Sequence, residues 1–193
     1  MINENQIPQK SAGIVIIRHD ERRGPCVLLL KIFKKYDLPK GRIEDSDGGD
    51  LKSDAVSLDQ ILNAATRECY EECGFEILID PDTLLDVNIP VALLVPGQDE
   101  PIKCIAYDTK THVPRKIVYL YVAETMCKKA TIKKNKKSGI YEHHGYRWES
   151  AENIGSSGLH RYLQTGVVQA IELYQSSKSV EDKVRHIVSL ADQ

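Results

Sequence analysis

The chain has 193 residues, enough for one domain that buries its own core without disulfide or metal staples. Hydrophobic residues make up 41% and charged residues 28%, which sets aside the disordered and membrane classes. A formal net charge of −2 argues against bulk nonspecific binding of nucleic acid and leaves room for a local basic patch.

The first ten residues, Met-Ile-Asn-Glu-Asn-Gln-Ile-Pro-Gln-Lys, hold no apolar core of a secretory signal. Gly13 to Ile17 and Cys26 to Ile32 are short apolar runs separated by a polar turn, Arg18 to Pro25. They predict a β-hairpin of buried strands. Leu38-Pro39-Lys40-Gly41 reads as a loop, and residues 45–56, rich in Asp, Ser and Gly, as a second, exposed one. A helix is expected from Ser57, where Ser57 and Gln60 match a capping box. Its apolar stripe is Leu58, Leu62, Ala65, Cys69 and Cys73, and Gly74 is placed to end it.

Phe75 to Ile79 and Val87 to Val95 read as strands, and residues 96–115 as a long loop. Ile117 to Ala123 is the clearest central strand. A lysine-rich stretch follows, with a hairpin loop at Thr131 to Gly139, and then a segment that ends at Trp148. Helical spacing begins at Leu159, and a second short helix is expected from Val180 to Leu190. No run has the length of a membrane span. The five cysteines, an odd number with no leader in view, read as reduced thiols, and the expected location is cytoplasmic. Cys69 and Cys73 read as small core-facing side chains. Strands first, one helix between and helices at the end imply an α+β domain, a mixed sheet between helices.

The segment Ala65-Thr66-Arg67-Glu68-Cys69-Tyr70-Glu71-Glu72-Cys73-Gly74-Phe75 carries the chemistry. Glu68, Glu71 and Glu72 stand at i, i+3 and i+4 of one helix, about 100° around from the apolar stripe. Carboxylates this close repel one another. A hard divalent cation among them resolves the conflict, and Mg²⁺ favours oxygen ligands. Arg67 beside them can orient a carboxylate. The alternative is a solvated acidic face.

Gly41 upstream, followed by Arg67-Glu68-x-x-Glu71-Glu72-x-Gly74-Phe75, resembles the Nudix box, Gly-x5-Glu-x7-Arg-Glu-U-x-Glu-Glu-x-Gly-U, in which U is apolar. The right half matches at every fixed position. Counted back from Arg67, Asp59 stands where the pattern has its first glutamate, and the left half is twelve residues too long. The expected division is a Nudix domain of 11–176 with 45–58 an inserted loop, and a C-terminal helical extension of 177–193.

The resemblance implies an α/β/α sandwich and hydrolysis of a nucleoside diphosphate linked to another group, with Mg²⁺ or Mn²⁺ as cofactor. It implies Glu68, Glu72, Glu71 and the Lys40 carbonyl as metal ligands, with Glu71, Glu142 and Arg67 in the catalytic machinery. Ala12-Gly13-Ile14-Val15-Ile16, Leu38-Pro39-Lys40-Gly41, Arg115-Lys116-Ile117-Val118 and Tyr141-Glu142-His143-His144-Gly145-Tyr146-Arg147-Trp148 are similar to segments of the diadenosine tetraphosphate hydrolases. From this follow Lys40 and Lys116 on a polyphosphate, Tyr146 and Tyr36 near an adenine ring, and Glu142 as a further ligand or general base. Leu120 falls where the subfamily has a tyrosine, with Tyr119 and Tyr121 on either side. Trp148 is expected beneath the final helix.

The expected reaction is diadenosine tetraphosphate to ATP and AMP. The alternatives are an RNA 5′ end, a diphosphoinositol polyphosphate, and a noncatalytic nucleotide-binding module. The expected partner is a small-molecule nucleotide or an RNA 5′ end, with no membrane and no protein partner evident. Of two basic clusters, Lys31, Lys34, Lys35, Lys40 and Arg42 are preferred for drawing in polyphosphate over the run Lys128 to Lys137, read as a solvated loop.

Overall fold

The computed structural model describes residues 7–48, 56–79, 89–136 and 138–191, with side chains to residue 178. The expected hairpin is present and longer than its apolar runs: β1, Gln9–Asp20, pairs antiparallel with β2, Gly24–Ile32. Asp20 closes the turn by accepting from the amides of Arg22 and Arg23. β3, Lys35–Asp37, extends β2, and β4, Lys40–Arg42, pairs with β1. A Cβ on Gly13 would lie 2.4 Å from Lys40 Cβ and from the Pro39 carbonyl, so the bare backbone lets the Lys40 loop lie against β1.

A single 3-10 turn, Asp45–Asp47, leads toward α1, Leu58–Cys73. Ser57 caps α1 by accepting from the Gln60 amide, and Gly74 ends it at φ 77°. The buried stripe differs from the expected one: Ile61 and Ala64 join Ala65, Cys69 and Cys73, while Leu58 at the first turn is exposed. β5 is Glu76–Leu78 and β6 is Val91–Leu94. The first residues of the run expected from Val87 lie outside the described set.

The stretch expected as one long loop contains β7, Ile102–Tyr107, which forms a hairpin with β8, Pro114–Glu124. β8 is central as expected: it runs parallel to β1 and antiparallel to β6 and β7. β9, Tyr146–Ser150, adds to β2, giving one mixed sheet of nine strands among the described residues. The end of the chain is one helix, α2, Arg161–Ala191, with no break before Val180.

Alternate residues of β1 enter opposite layers. Ala12, Ile14 and Ile16 meet Ile61, Ala65 and Cys69 of α1. Val15 and Ile17 meet Leu163, Val167 and Ile171 of α2. A sheet covered on both faces needs apolar side chains at both parities, so β1 and β2 read as unbroken apolar runs. Trp148 lies on the α1 face, not under α2; its indole N–H donates to the Lys128 carbonyl at 2.8 Å. Among the described residues, no helix is long and apolar enough to cross a membrane.

Candidate active site

β4 and the residues just after it, the outer flank of α1 and the 133–143 segment meet around a cavity of about 540 Å³. Lys40, Arg67, Glu68, Glu71, Glu72 and Glu142 all line it, so six of the expected site residues are brought together. The α1 residues arrive there because the apolar stripe fixes the roll of the helix on the sheet, which turns the glutamates toward the Lys40 loop.

The Lys40 amide donates to Glu72 Oε2 at 2.9 Å. The Glu68 carboxylate lies over Gly41, where any Cβ would sit 2.1 Å from it. A side chain at this position would push the Glu68 carboxylate aside, so glycine leaves it where Arg67 holds it. Burial pushes the Glu68 carboxyl up to about 7, against the opposing pull of Arg67, with Glu72 and Glu71 adding to the rise. Arg67 donates to Glu68 Oε1 at 2.7 Å and to Glu71 Oε2 at 3.3 Å. Lys136 stands 3.6 Å from the other Glu71 oxygen.

Arg67 is itself gripped by Asp47, a residue expected in an exposed loop. Its Nε and one terminal nitrogen donate to the two Asp47 oxygens at 2.8 and 3.0 Å, and the Asp47 side chain is 3% exposed. Asp59, which the backward count from Arg67 puts in the place of the pattern's first glutamate, is exposed on the first turn of α1.

No family sequence model and no curated protein matches the chain by sequence. Solved structures do match by shape. A C. elegans Ap4A hydrolase in a binary complex superposes with a TM-score of 0.54 at 18% identity, over 87% of this chain and 98% of that one. A NUDIX family hydrolase from Clostridium perfringens gives 0.52 at 20% identity, over 88% and 98%. The NUDIX domain of Shewanella oneidensis NrtR, complexed with ADP ribose, gives 0.51 at 13% identity, over 86% of each. The fold is that of the Nudix hydrolases.

In this Nudix fold the box can be counted forward from Gly41 as well as back from Arg67. Five residues separate Gly41 from Asp47, so Asp47 stands at the spacing the pattern gives its left-hand acidic position, and the twelve extra residues fall between it and Arg67. The backward count carried the insertion along with it and landed on Asp59. The spacing from Gly41 was the signal that could have found Asp47.

The remaining expected residues lie away from the cavity lining. Lys116 is half-buried on β8, where burial, Lys40 and Arg42 lower its ammonium pKa against the pull of Asp37 and Glu72. Lys40 Nζ is held by Asp37 at 2.7 Å. Tyr36 packs toward the α2-side core under the Arg147 guanidinium, 4.0 Å from its ring centre. Tyr146 packs on the opposite, α1-side core. Tyr119 and Tyr121 face that same layer, and Leu120 faces α2.

From the lysine run, Lys133 and Lys136 line the cavity. Of the cluster preferred from sequence, Lys40 and Arg42 line it, and Lys31, Lys34 and Lys35 do not. His143, quoted in the Tyr141 to Trp148 segment but given no role there, is buried at the cavity wall, 3.0 Å from Glu72 Oε1. Its neighbour Glu142 is exposed and accepts from the Asn135 side chain.

The donor set suits a hard divalent cation. It offers carboxylate oxygens, partly buried and mutually repelling, and burial has already raised the cost of charge on one of them.

Proposed function

We propose that the protein is a divalent-metal-dependent pyrophosphohydrolase that cleaves a phosphoanhydride bond in a nucleoside polyphosphate, with diadenosine tetraphosphate to ATP and AMP as the leading reaction. The observation that carries this reading is the one cavity where the Lys40–Gly41 loop, the three α1 glutamates and Glu142 converge. The Ap4A hydrolase and the domain complexed with ADP ribose that share the fold are in keeping with such a substrate.

Glu68 and Glu72 would hold Mg²⁺ or Mn²⁺, with Glu71 and the Lys40 carbonyl completing the set. Such a cation, when bound, neutralises the bridging phosphates and activates water. Arg67, clamped by Asp47, holds Glu68 and Glu71 in position. The Lys40 amide does the same for Glu72. Glu142 lines the cavity, where its carboxylate can serve as a further ligand or take the proton of the attacking water.

Lys40 and Lys116 hold the polyphosphate. Lys40 and Arg42 press on Lys116 despite the pull of Asp37 and Glu72, and a bound polyphosphate would add the anionic charge that favours all three cations. Tyr36 and Tyr146 are the stacking candidates for the base. They pack on opposite faces of the sheet, so the two would serve different rings or only one would serve.

One observation favours an RNA 5′ end as the second reading. Phe33 is 77% exposed and meets His144 edge-on beside the exposed Lys31, Lys34 and Lys35. Aromatic faces among lysines suit a single strand.

Product analysis separates these. The protein is incubated with Mg²⁺ and a panel of dinucleoside polyphosphates, capped RNA, ADP-ribose and diphosphoinositol phosphates in ¹⁸O-labelled water. Equal ATP and AMP from the dinucleotide supports the leading reaction. Preferential release of 7-methylguanosine diphosphate supports the second. Tight nucleotide binding without turnover would overturn both in favour of a binding module.

A further inference from the structure

His143 is buried, with its side chain 5% exposed, and neither ring nitrogen has a hydrogen-bond partner. Its Nε2 stands 3.0 Å from Glu72 Oε1, within ion-pair reach if the ring is protonated but not hydrogen-bonded to it. A buried imidazole with both nitrogens unsatisfied is costly. One ligand atom each from Glu72, Glu142 and His143 lie within 4.8 Å of one another. Two ligands at right angles about 2.1 Å from a common ion sit about 3.0 Å apart, the separation found between His143 and Glu72.

We propose that His143 is a nitrogen ligand that joins Glu72 and Glu142 in a metal subsite and tilts the protein toward Mn²⁺, Co²⁺ or Zn²⁺ over Mg²⁺. The inference deepens the metal-dependent reading above and rests on it. Carboxylates alone suit Mg²⁺, whereas imidazole adds affinity for the later divalent ions far more than for Mg²⁺. Lys40 contributes by orienting: its amide occupies Glu72 Oε2, which leaves Oε1 to face the imidazole. Asn135 does the same for Glu142. Both carboxylates are thus turned by a donor before any ion arrives, as in preorganised sites.

The test is metal binding by the full chain, with no substrate present. Mn²⁺ and Mg²⁺ affinities are measured by calorimetry for the wild type and His143→Asn, and Mn²⁺-loaded samples are read by pulsed electron paramagnetic resonance for nitrogen coupling. The expected result is nitrogen coupling in the wild type that vanishes in the variant. Mn²⁺ affinity falls by about tenfold or more, and Mg²⁺ affinity stays within about threefold. Coupling absent from the Mn²⁺-loaded wild type overturns the proposal even when the variant fails to fold. So does an unchanged Mn²⁺ to Mg²⁺ preference in a folded variant. In both cases Mg²⁺-dependent hydrolysis by the wild type would leave the proposed function standing. A wild type that binds neither ion overturns both.

Discussion

Asp47 shows how one short side chain can organise a site it never reaches. Its two oxygens hold two nitrogens of Arg67, which leaves the third nitrogen for Glu68 and Glu71. Removing one partner of a buried ion pair strands the other charge and costs roughly 3–5 kcal/mol in a fully buried setting. Arg67 is 25% exposed, so Asp47→Asn is expected to cost about 2–3 kcal/mol in denaturant unfolding. Asp59→Asn, at an exposed first turn, should change stability by about 0.5 kcal/mol or less. Equal losses would show that Asp47 is not the partner of Arg67.

Glu68 gives the metal-free protein a pH signature. Its carboxyl is held near 7 against an ordinary 4.5, so the folded state favours the protonated form. The stability this contributes is fully present below about pH 4.5 and is lost as pH rises through 7. The loss is on the order of 3 kcal/mol, taking about 1.4 kcal/mol for each pKa unit. Thermal unfolding in chelator from pH 5 to pH 8 should show this decline, and Glu68→Gln should flatten it. A variant with the wild-type slope would place the titration elsewhere.

Among the elements, α1 carries most of the argument, and both of its ends follow from single residues. Gly74 takes φ 77°, and a Cβ there would meet Thr131 at 3.1 Å. Gly74→Ala is expected to cost about 1–2 kcal/mol, measured as a fall in unfolding midpoint at constant slope. No loss would mean that the helix end is not held in the left-handed conformation. α1 was legible because its caps, its glutamates and the Ala65, Cys69 and Cys73 part of its stripe obey one period, while Ile61 and Ala64 take the place expected of Leu58. β1, β2 and β8 were legible because strands covered on both faces are continuously apolar. β7 was hidden: its six residues sit between Pro101 and an Asp108–Val113 turn, and the polar neighbours dominate any window wide enough to score it. The left end of the box was misread for a related reason, since an insertion moves every position counted across it.

At the scale of the whole molecule, the two helices cover opposite faces of one sheet, and the site forms at the edge of the α1 layer. Glu68, Glu71 and Glu72 were readable from sequence because one helical turn supplies them. Glu142, more than sixty residues further along, was reached only through the resemblance, while Lys133, Lys136 and His143 on the same segment carry no helical period and are placed at the cavity by tertiary packing. The central claim is that these carboxylates gather a divalent ion against an anhydride. It is tested most directly by comparing hydrolysis of diadenosine tetraphosphate by the wild type and Glu72→Gln, each with Mg²⁺ and with chelator. The account predicts metal-dependent release of ATP and AMP by the wild type and a loss of about a hundredfold or more in the folded variant. Wild-type turnover by Glu72→Gln, or turnover that persists in chelator, would contradict it.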